Sequence, residues 1–162
     1  MRYNTIRQLD IANGKGCRVS LFVQGCDRRC AHCFNPETWD FNSGQEFTEQ
    51  TMELLLELTK PDYISGLSVL GGDPMNPKNR EEVIKLIRRF KEAYPNKTVW
   101  LWTGYLIEDI FEDLIDSGID VIVDGPFIEE LKDLRLKYRG SANQRVIDLN
   151  ETIRTGDIKL II

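Results

Sequence analysis

The chain has 162 residues, 41% of them hydrophobic and 29% charged, and its formal net charge is −5. This length is typical of one domain with a sizeable core, so we expect a single domain over residues 1–162. The negative charge and the lack of a dense Lys/Arg cluster argue against nucleic-acid binding. No apolar stretch approaches the roughly 20 residues of a membrane helix. Residues 1–10 lack the apolar core of a signal peptide, which favours a cytoplasmic, reducing compartment.

The first predicted strand covers residues 18–23, where polar and apolar residues alternate. Three cysteines, Cys26, Cys30 and Cys33, follow it with the spacing CxxxCxxC. Three close thiols without an equally close fourth suggest a metal centre with one open coordination position. Thiolates hold iron–sulfur clusters, and a cluster with three protein ligands leaves one iron free to bind another molecule.

A structural zinc site and a disulfide are the other interpretations of this motif. Structural zinc normally has four Cys or His ligands, and the fourth would be Cys17 or His32. His32 lies between two ligands and would compete with them for geometry. Cys17 is expected to be a buried free thiol, a common use of cysteine. Disulfides are disfavoured in a reducing compartment.

Helices and strands alternate along the rest of the chain. Helices are predicted over residues 49–58, from Asn79 to Pro95, and from Ile107 to Gly118. Thr48 is expected to cap the first helix, Asn79 with Glu82 resembles a capping box for the second, and Gly118 is expected to end the third. Strands are predicted at residues 65–70, 98–102 and 119–123, with candidate edge strands at 145–149 and 159–162.

This alternation predicts an α/β fold with parallel strands and right-handed crossovers. Four strand–helix steps are half of an eight-step barrel, so we expect a partial, open β/α barrel. In such folds the active site lies at the C-terminal ends of the strands. The loops that follow the four strands should therefore meet at one rim; they contain the cysteines, Gly71-Gly72-Asp73, Thr103-Gly104-Tyr105 and Asp124-Gly125.

Gly71, Gly72 and Asp73 follow the second of these strands. Two glycines allow the backbone to approach a ligand closely, and Asp73 could receive an ammonium group. Alone, this sequence is also typical of an ordinary turn. Beside the cysteine motif it indicates a ligand-binding loop.

The cysteine motif after the first strand, with Gly-Gly-Asp after the second, resembles the radical S-adenosylmethionine enzymes. Residues 33–39, Cys-Phe-Asn-Pro-Glu-Thr-Trp, are similar to the glycyl-radical activating enzymes among them. Other stretches are similar to the activators of anaerobic ribonucleoside-triphosphate reductases, namely residues 9–14, 102–105, 123–127 and 139–144. The resemblance extends over residues 5–149, nearly the whole chain.

The resemblance implies a mechanism. Cys26, Cys30 and Cys33 would ligate three irons of a [4Fe-4S] cluster, and S-adenosylmethionine would chelate the fourth. Reduction of the cluster, by an electron donor such as a flavodoxin, would cleave the cofactor into methionine and a 5′-deoxyadenosyl radical. That radical would take a hydrogen atom from a glycine in the large subunit of the reductase.

The resemblance also assigns contacts with S-adenosylmethionine. They fall on His32, Cys33, Phe34, Gly71, Gly72 and Asp73, and no catalytic residue is expected beyond the cluster site. Some related activators have a lysine two residues after the aspartate that corresponds to Asp124, and this chain lacks it. The cation that faces the methionine carboxylate is therefore open, and Arg139 is a candidate on charge alone.

Two other functions remain compatible with the sequence. One is a non-catalytic interaction module with a closed zinc site, and the other is a radical S-adenosylmethionine enzyme that acts on a small molecule. The colour of the anaerobically purified protein would separate the first from an iron–sulfur enzyme, because a zinc protein is colourless.

Overall fold

The computed structural model describes all 162 residues, and its strands form one seven-stranded sheet. In chain order the elements are β1 (Arg2–Asp10), β2 (Cys17–Val23), β3 (Gln45–Glu46), α1 (Glu49–Thr59), β4 (Ile64–Gly71), α2 (Arg80–Ala93), β5 (Thr98–Trp102), α3 (Ile107–Leu114), β6 (Val121–Asp124), β7 (Arg145–Asp148) and α4 (Leu149–Thr155). The strand order is β3-β1-β2-β4-β5-β6-β7, and the sheet does not close on itself. None of the helices is long and apolar enough to cross a bilayer.

The four central strands, β2, β4, β5 and β6, are parallel, and α1, α2 and α3 connect them in turn. Side chains from these helices and from one face of the sheet form a core of 23 buried residues, including Leu55, Phe90 and Leu101. The predicted α/β class is confirmed, and the sheet is open, with parallel strands at its centre and antiparallel strands on both sides. The opposite face of the sheet forms the floor of the cavity described below.

The two sides of the sheet differ from the prediction. β1 and β3 add antiparallel strands next to β2; β1 gives little sequence signal because only Tyr3 and Asp10 in it are buried. No α-helix lies between β6 and β7, so there are three helical crossovers rather than four. A 3-10 turn at Glu129–Leu131 leads to the antiparallel β7. The chain end adds only an isolated bridge between Leu160 and Ile147.

The helix ends follow the sequence prediction in part. Thr48 caps α1, where its hydroxyl oxygen accepts the Thr51 N–H at 3.3 Å. Asn79 makes no capping bond at the start of α2. Its side-chain amide donates instead to the carbonyl oxygens of Gln24 and Asp73, each at 3.2 Å, because two loops converge beside it. The third helix ends at Leu114, well before the predicted stop at Gly118.

A buried carboxylate joins the β1–β2 connection to the sheet. Asp10 accepts hydrogen bonds from the Ser20 hydroxyl (2.7 Å), the Asn13 amide (2.7 Å) and the Ala12 N–H (2.9 Å). Burial by itself would raise the pKa of Asp10, but these bonds and the charge of Arg7 hold it below its usual value. Asp10 is therefore stabilised in its ionised form and fixes the segment that borders the cavity.

We expect Asp10→Asn to lower the free energy of unfolding by about 1–3 kcal/mol at neutral pH, because an amide nitrogen would face hydrogen-bond donors. A depressed folded-state pKa stabilises the fold above the unfolded pKa, and this contribution is lost as the pH falls through the folded value. Urea unfolding at neutral pH and at about pH 3 should therefore show a smaller difference from the wild type in acid. Asp157→Asn, at an exposed position, is the charge-matched control, and an equal deficit at both pH values would contradict the assignment.

Candidate metal centre and cofactor cavity

A cavity of about 480 Å³ opens at the C-terminal ends of the parallel strands. Each of the four loops that were expected to meet at this rim contributes to its wall. The contributing residues include Cys26, Cys30, Cys33, Gly71, Gly72, Asp73, Thr103, Gly104 and Gly125. The parallel arrangement of β2, β4, β5 and β6 thus brings together segments that are far apart in the sequence.

The cysteine loop follows β2, and its three cysteines line the cavity, each half-buried. Arg29 and His32 have left-handed backbone conformations, with φ of 49° and 57°. The Cys33 N–H donates to the Cys30 carbonyl oxygen at 3.2 Å, which closes a turn. The Asn35 N–H donates to Cys33 Sγ at 3.4 Å, and such bonds tune the potential of a thiolate-bound cluster.

Burial raises the pKa of the Cys26 thiol above its usual value. A backbone hydrogen bond from Arg28 opposes this shift, and the nearby Asp73 and Cys30 add to it. Cys26 therefore holds its proton more tightly than an exposed cysteine does.

Three thiolates suit a cubane cluster, in which each binds a different iron. Cys17 cannot complete a zinc site with the motif, since β2 carries the chain roughly 20 Å away from it. Cys17 is a free thiol that packs against the core, but it is half-buried rather than buried as expected.

The Gly71–Asp73 loop packs directly on the start of the cysteine loop. The Gly72 N–H donates to the Val23 carbonyl oxygen at 2.9 Å, and the Asp73 N–H donates to that of Gly25 at 2.8 Å. A Cβ on Gly72 would lie 2.5 Å from the Gly25 carbonyl oxygen, which is too close for any side chain. The two glycines were expected to allow close approach of a ligand. In the structure, Gly72 makes its close approach to the Gly25 backbone, directly before Cys26.

Asp73 is buried beneath this loop and connects it to the loop after β5. Its carboxylate accepts hydrogen bonds from the Thr103 hydroxyl (2.7 Å), the Met75 N–H (3.0 Å) and the Gly104 N–H (3.1 Å), and Arg28 Nε lies 3.5 Å away. Burial raises the pKa of Asp73, and these partners limit the rise. The carboxylate holds three loops in place, while its expected contact with an ammonium group stays a prediction.

The two residues that flank Cys33 differ in position. His32 is exposed and does not line the cavity. Phe34 lines it, with 52% of its surface exposed, and packs against Phe127 with ring centroids 5.0 Å apart. Phe34 thus offers an aromatic face to a ligand in the cavity.

Two segments of the cavity wall were not predicted from the sequence. Arg7, Ala12 and Asn13 reach the cavity from β1 and the loop after it, and Leu134, Leu136 and Tyr138 reach it from the segment before β7. The second segment is attached to β5, where the Trp102 indole N–H donates to the Tyr138 carbonyl oxygen at 2.6 Å. Neither segment shows a periodic pattern that would have revealed its position.

Residues 12–147 match a protein family described as a 4Fe-4S single cluster domain. The matched region includes the three cysteines of the motif and most of the cavity wall. Together with the three cysteines that line the cavity, this match defines the class of the protein, which is an iron–sulfur protein with a 4Fe-4S single cluster domain.

Several curated relatives cover nearly the whole chain, and each is named anaerobic ribonucleoside-triphosphate reductase-activating protein. The protein of Enterobacteria phage T4 is 44% identical over 146 residues, which are 90% of this chain and 93% of the phage protein. Those of Vibrio cholerae and Escherichia coli are 41% and 40% identical over 148 and 150 residues, covering 89% and 90% of this chain and 96% and 97% of their own lengths. The chain belongs to this family of reductase-activating proteins.

We expect Cys26→Ala, Cys30→Ala and Cys33→Ala each to abolish the cluster and Cys17→Ser to retain it. Each of the three alanine changes removes an iron–thiolate bond that no neighbouring thiol can replace. The measurement is the iron and sulfide content of anaerobically reconstituted protein, together with the brown absorbance that dithionite bleaches. A Cys17→Ser protein with substantially less iron than the wild type would overturn the ligand assignment.

Gly72→Ala should reduce cluster content, because the added Cβ would push the Gly25 backbone, and with it Cys26, away from β4. Gly156→Ala is a control for a loss of stability alone. Gly156 has a left-handed φ of +80° but no atom within 4 Å of an added Cβ, so this change tests strain without contact. We expect it to cost about 1–2 kcal/mol in stability and to leave the iron content unchanged. Wild-type iron content in Gly72→Ala would show that this contact does not position the ligand loop.

Proposed function

We propose that this protein activates an anaerobic ribonucleoside-triphosphate reductase by generating a glycyl radical on its large subunit. The observation that carries the proposal is the set of three thiols on the wall of one cavity. Cys26, Cys30 and Cys33 would hold the [4Fe-4S] cluster, and S-adenosylmethionine would bind beside it. When bound, the two groups supply one-electron reductive cleavage of the sulfonium bond, which ends in hydrogen abstraction from a glycine. The names of the relatives support the reductase as the target.

The residues around the thiols suit a small cofactor with an aromatic base and an amino-acid end. Gly71 and Gly72 line the cavity, and an added Cβ on either would meet the backbone of residues 22–25. Phe34 provides a surface on which an adenine can stack. Asp73 holds the loops after β4 and β5 together, next to the cysteine loop. The placement of His32 beside the adenine stays a prediction.

We further propose that the sheet is a partial β/α barrel of the radical S-adenosylmethionine type. Four parallel strands form a rim, and the cavity stays accessible from the side. Leu134 on its wall is 83% exposed, and Ile11, next to the wall residue Ala12, is 76% exposed. An enzyme that holds a free small radical substrate needs a closing lid to exclude water. An open cavity instead suits a loop of a partner protein, and a protein electron donor such as a flavodoxin would reduce the cluster.

The test is the formation of a radical on the partner. Reduced protein with S-adenosylmethionine and the cognate reductase should give an electron paramagnetic resonance doublet under strict anaerobiosis. The doublet should be absent when the acceptor glycine of the reductase is changed to alanine, and absent with the Cys30→Ala activator. Cofactor cleavage without any protein radical would refute the activator function and would favour a small-molecule radical enzyme. A colourless zinc-loaded protein that cleaves no cofactor would favour the interaction module.

A further inference from the structure

The two outer edges of the sheet differ in how they are protected. At one edge, β3 is only two residues long, and both of them, Gln45 and Glu46, are polar and exposed. Short and charged edge strands of this kind prevent pairing with the strands of another chain. At the other edge, β7 is followed beyond α4 by residues 158–162, Ile-Lys-Leu-Ile-Ile, which we call the edge segment. It contains four large apolar residues and one charge, so it lacks the usual protection.

The middle of the edge segment continues the sheet beyond β7. An N–H of β7 donates to the Lys159 carbonyl oxygen, and the Ile161 N–H donates to a carbonyl oxygen of β7, each at 2.8 Å. Successive N–H groups of a strand point to opposite sides, so the N–H and C=O of Leu160 point away from β7. The N–H groups of residues 158, 160 and 162 donate to no acceptor within the protein. The outer side of the segment therefore presents a row of unpaired backbone groups.

The side chains of the edge segment add an apolar surface to these backbone groups. Ile158, Leu160, Ile161 and Ile162 are each between 39% and 56% exposed. Leu160 lies opposite Ile147, which belongs to the core on the helical side of the sheet. Alternate residues of a strand share one face, so residues 158, 160 and 162 extend the edge of that core. Exposed apolar side chains beside unpaired backbone donors are typical of a site that pairs with another strand.

Lys159 is the only charged side chain of the edge segment, and its charge acts on its own copy. A hydrogen bond from Arg154 holds the pKa of Glu151 in α4 below its usual value, and the charge of Lys159 adds to this effect. Lys159 thus lies near an acidic residue of the neighbouring helix. A single lysine with such a neighbour does not exclude an approaching strand.

We propose that the edge segment pairs with the same segment of a second copy of this chain, antiparallel and two-fold symmetric about Leu160. In this register the Leu160 N–H of each copy donates to the Leu160 carbonyl oxygen of the other. Ile158 lies opposite Ile162, and Lys159 lies opposite Ile161, so no like charges face each other. The pairing supplies an acceptor for every unpaired N–H of the segment and joins the two sheets into one.

The pairing is weak and leaves the functional site accessible. Four apolar side chains per copy bury less than the roughly 1,200–2,000 Å² of a standard interface. We therefore expect a dissociation constant of about 1–100 μM, so that the dimer forms only as the concentration rises. None of residues 158–162 lines the cavity. Each copy in the dimer therefore keeps its cysteine loop open to other partners.

The experiment is sedimentation of the reconstituted holoprotein over a range of concentrations under anaerobic conditions. The 18.7 kDa chain should convert to a species of twice that mass as its concentration rises. Leu160→Pro removes an N–H that its own copy does not use, and it should weaken the dimer by at least about tenfold. Tyr63→Asp is the control, because it removes an exposed aromatic side chain before β4 and should leave the dimer unchanged. Both variants should keep the wild-type circular dichroism and iron content.

A pair of opposite charges tests the register. Ile158→Lys and Ile162→Asp should each weaken the dimer, because each places two unpaired charges in an apolar contact. The variant with both changes should recover dimerisation, since a lysine of one copy then faces an aspartate of the other at two places. A double variant that dimerises no better than the single ones overturns the proposed pairing.

Three further results would overturn the proposal while the proposed function stands. One is a wild-type holoprotein that stays monomeric up to about 100 μM. The second is a dimer that Leu160→Pro leaves intact, because another surface then forms it. The third is a monomer whose binding to the reductase is weakened by Leu160→Pro, since the partner of the edge segment is then the reductase and not a second copy.

Discussion

The site depends on the contact between two backbones, at Gly25 and Gly72. Their separation leaves no room for a Cβ, and a hydrogen bond from the Asp73 N–H holds the Gly25 carbonyl oxygen. The other side of Gly25 is filled by the ring of Phe41. Because Cys26 is the next residue, the position of the first thiol is set by the end of β4, which lies far away in the sequence. The conformation of the cysteine loop therefore depends on a strand from a distant part of the sequence.

A second constraint is the distribution of charge around the cavity. Asp73 is almost completely buried, yet its carboxylate is surrounded by donors from the loops after β2, β4 and β5. A buried carboxylate is tolerated only when its hydrogen bonds are satisfied, and here those bonds fix the relative positions of the loops. The internal charges are thus neutralised within the protein. Arg139, at the edge of the same cavity, takes part in no ion pair and donates to the Gln144 carbonyl oxygen.

The sequence predicted the central part of the fold because β2, β4, β5 and β6 carry the apolar patterns of buried strands. It also predicted which loops meet, since parallel strands place their C-terminal ends together. It did not predict β1, in which Tyr3 and Asp10 are the only buried residues. It also did not predict that the irregular segment containing Tyr138 lines the cavity. Asn79 was expected to cap a helix, but long-range contacts with two loops prevailed. Charge alone drew attention to Arg139, whereas its lack of an ion-pair partner is visible only in three dimensions.

The backbone of the cysteine loop limits how far its motif can be transplanted. Arg29 and His32 adopt left-handed conformations that cost about 1–2 kcal/mol each for residues with a side chain. A free peptide of this sequence would not keep this backbone conformation, and its thiols would no longer have fixed relative positions. The same eight residues grafted onto an unrelated scaffold would keep the spacing of the cysteines in the sequence. Their arrangement in space would be lost unless the scaffold also supplied a backbone contact like the one between Gly25 and Gly72. A protein engineer would therefore have to transfer the loop together with the neighbouring end of β4.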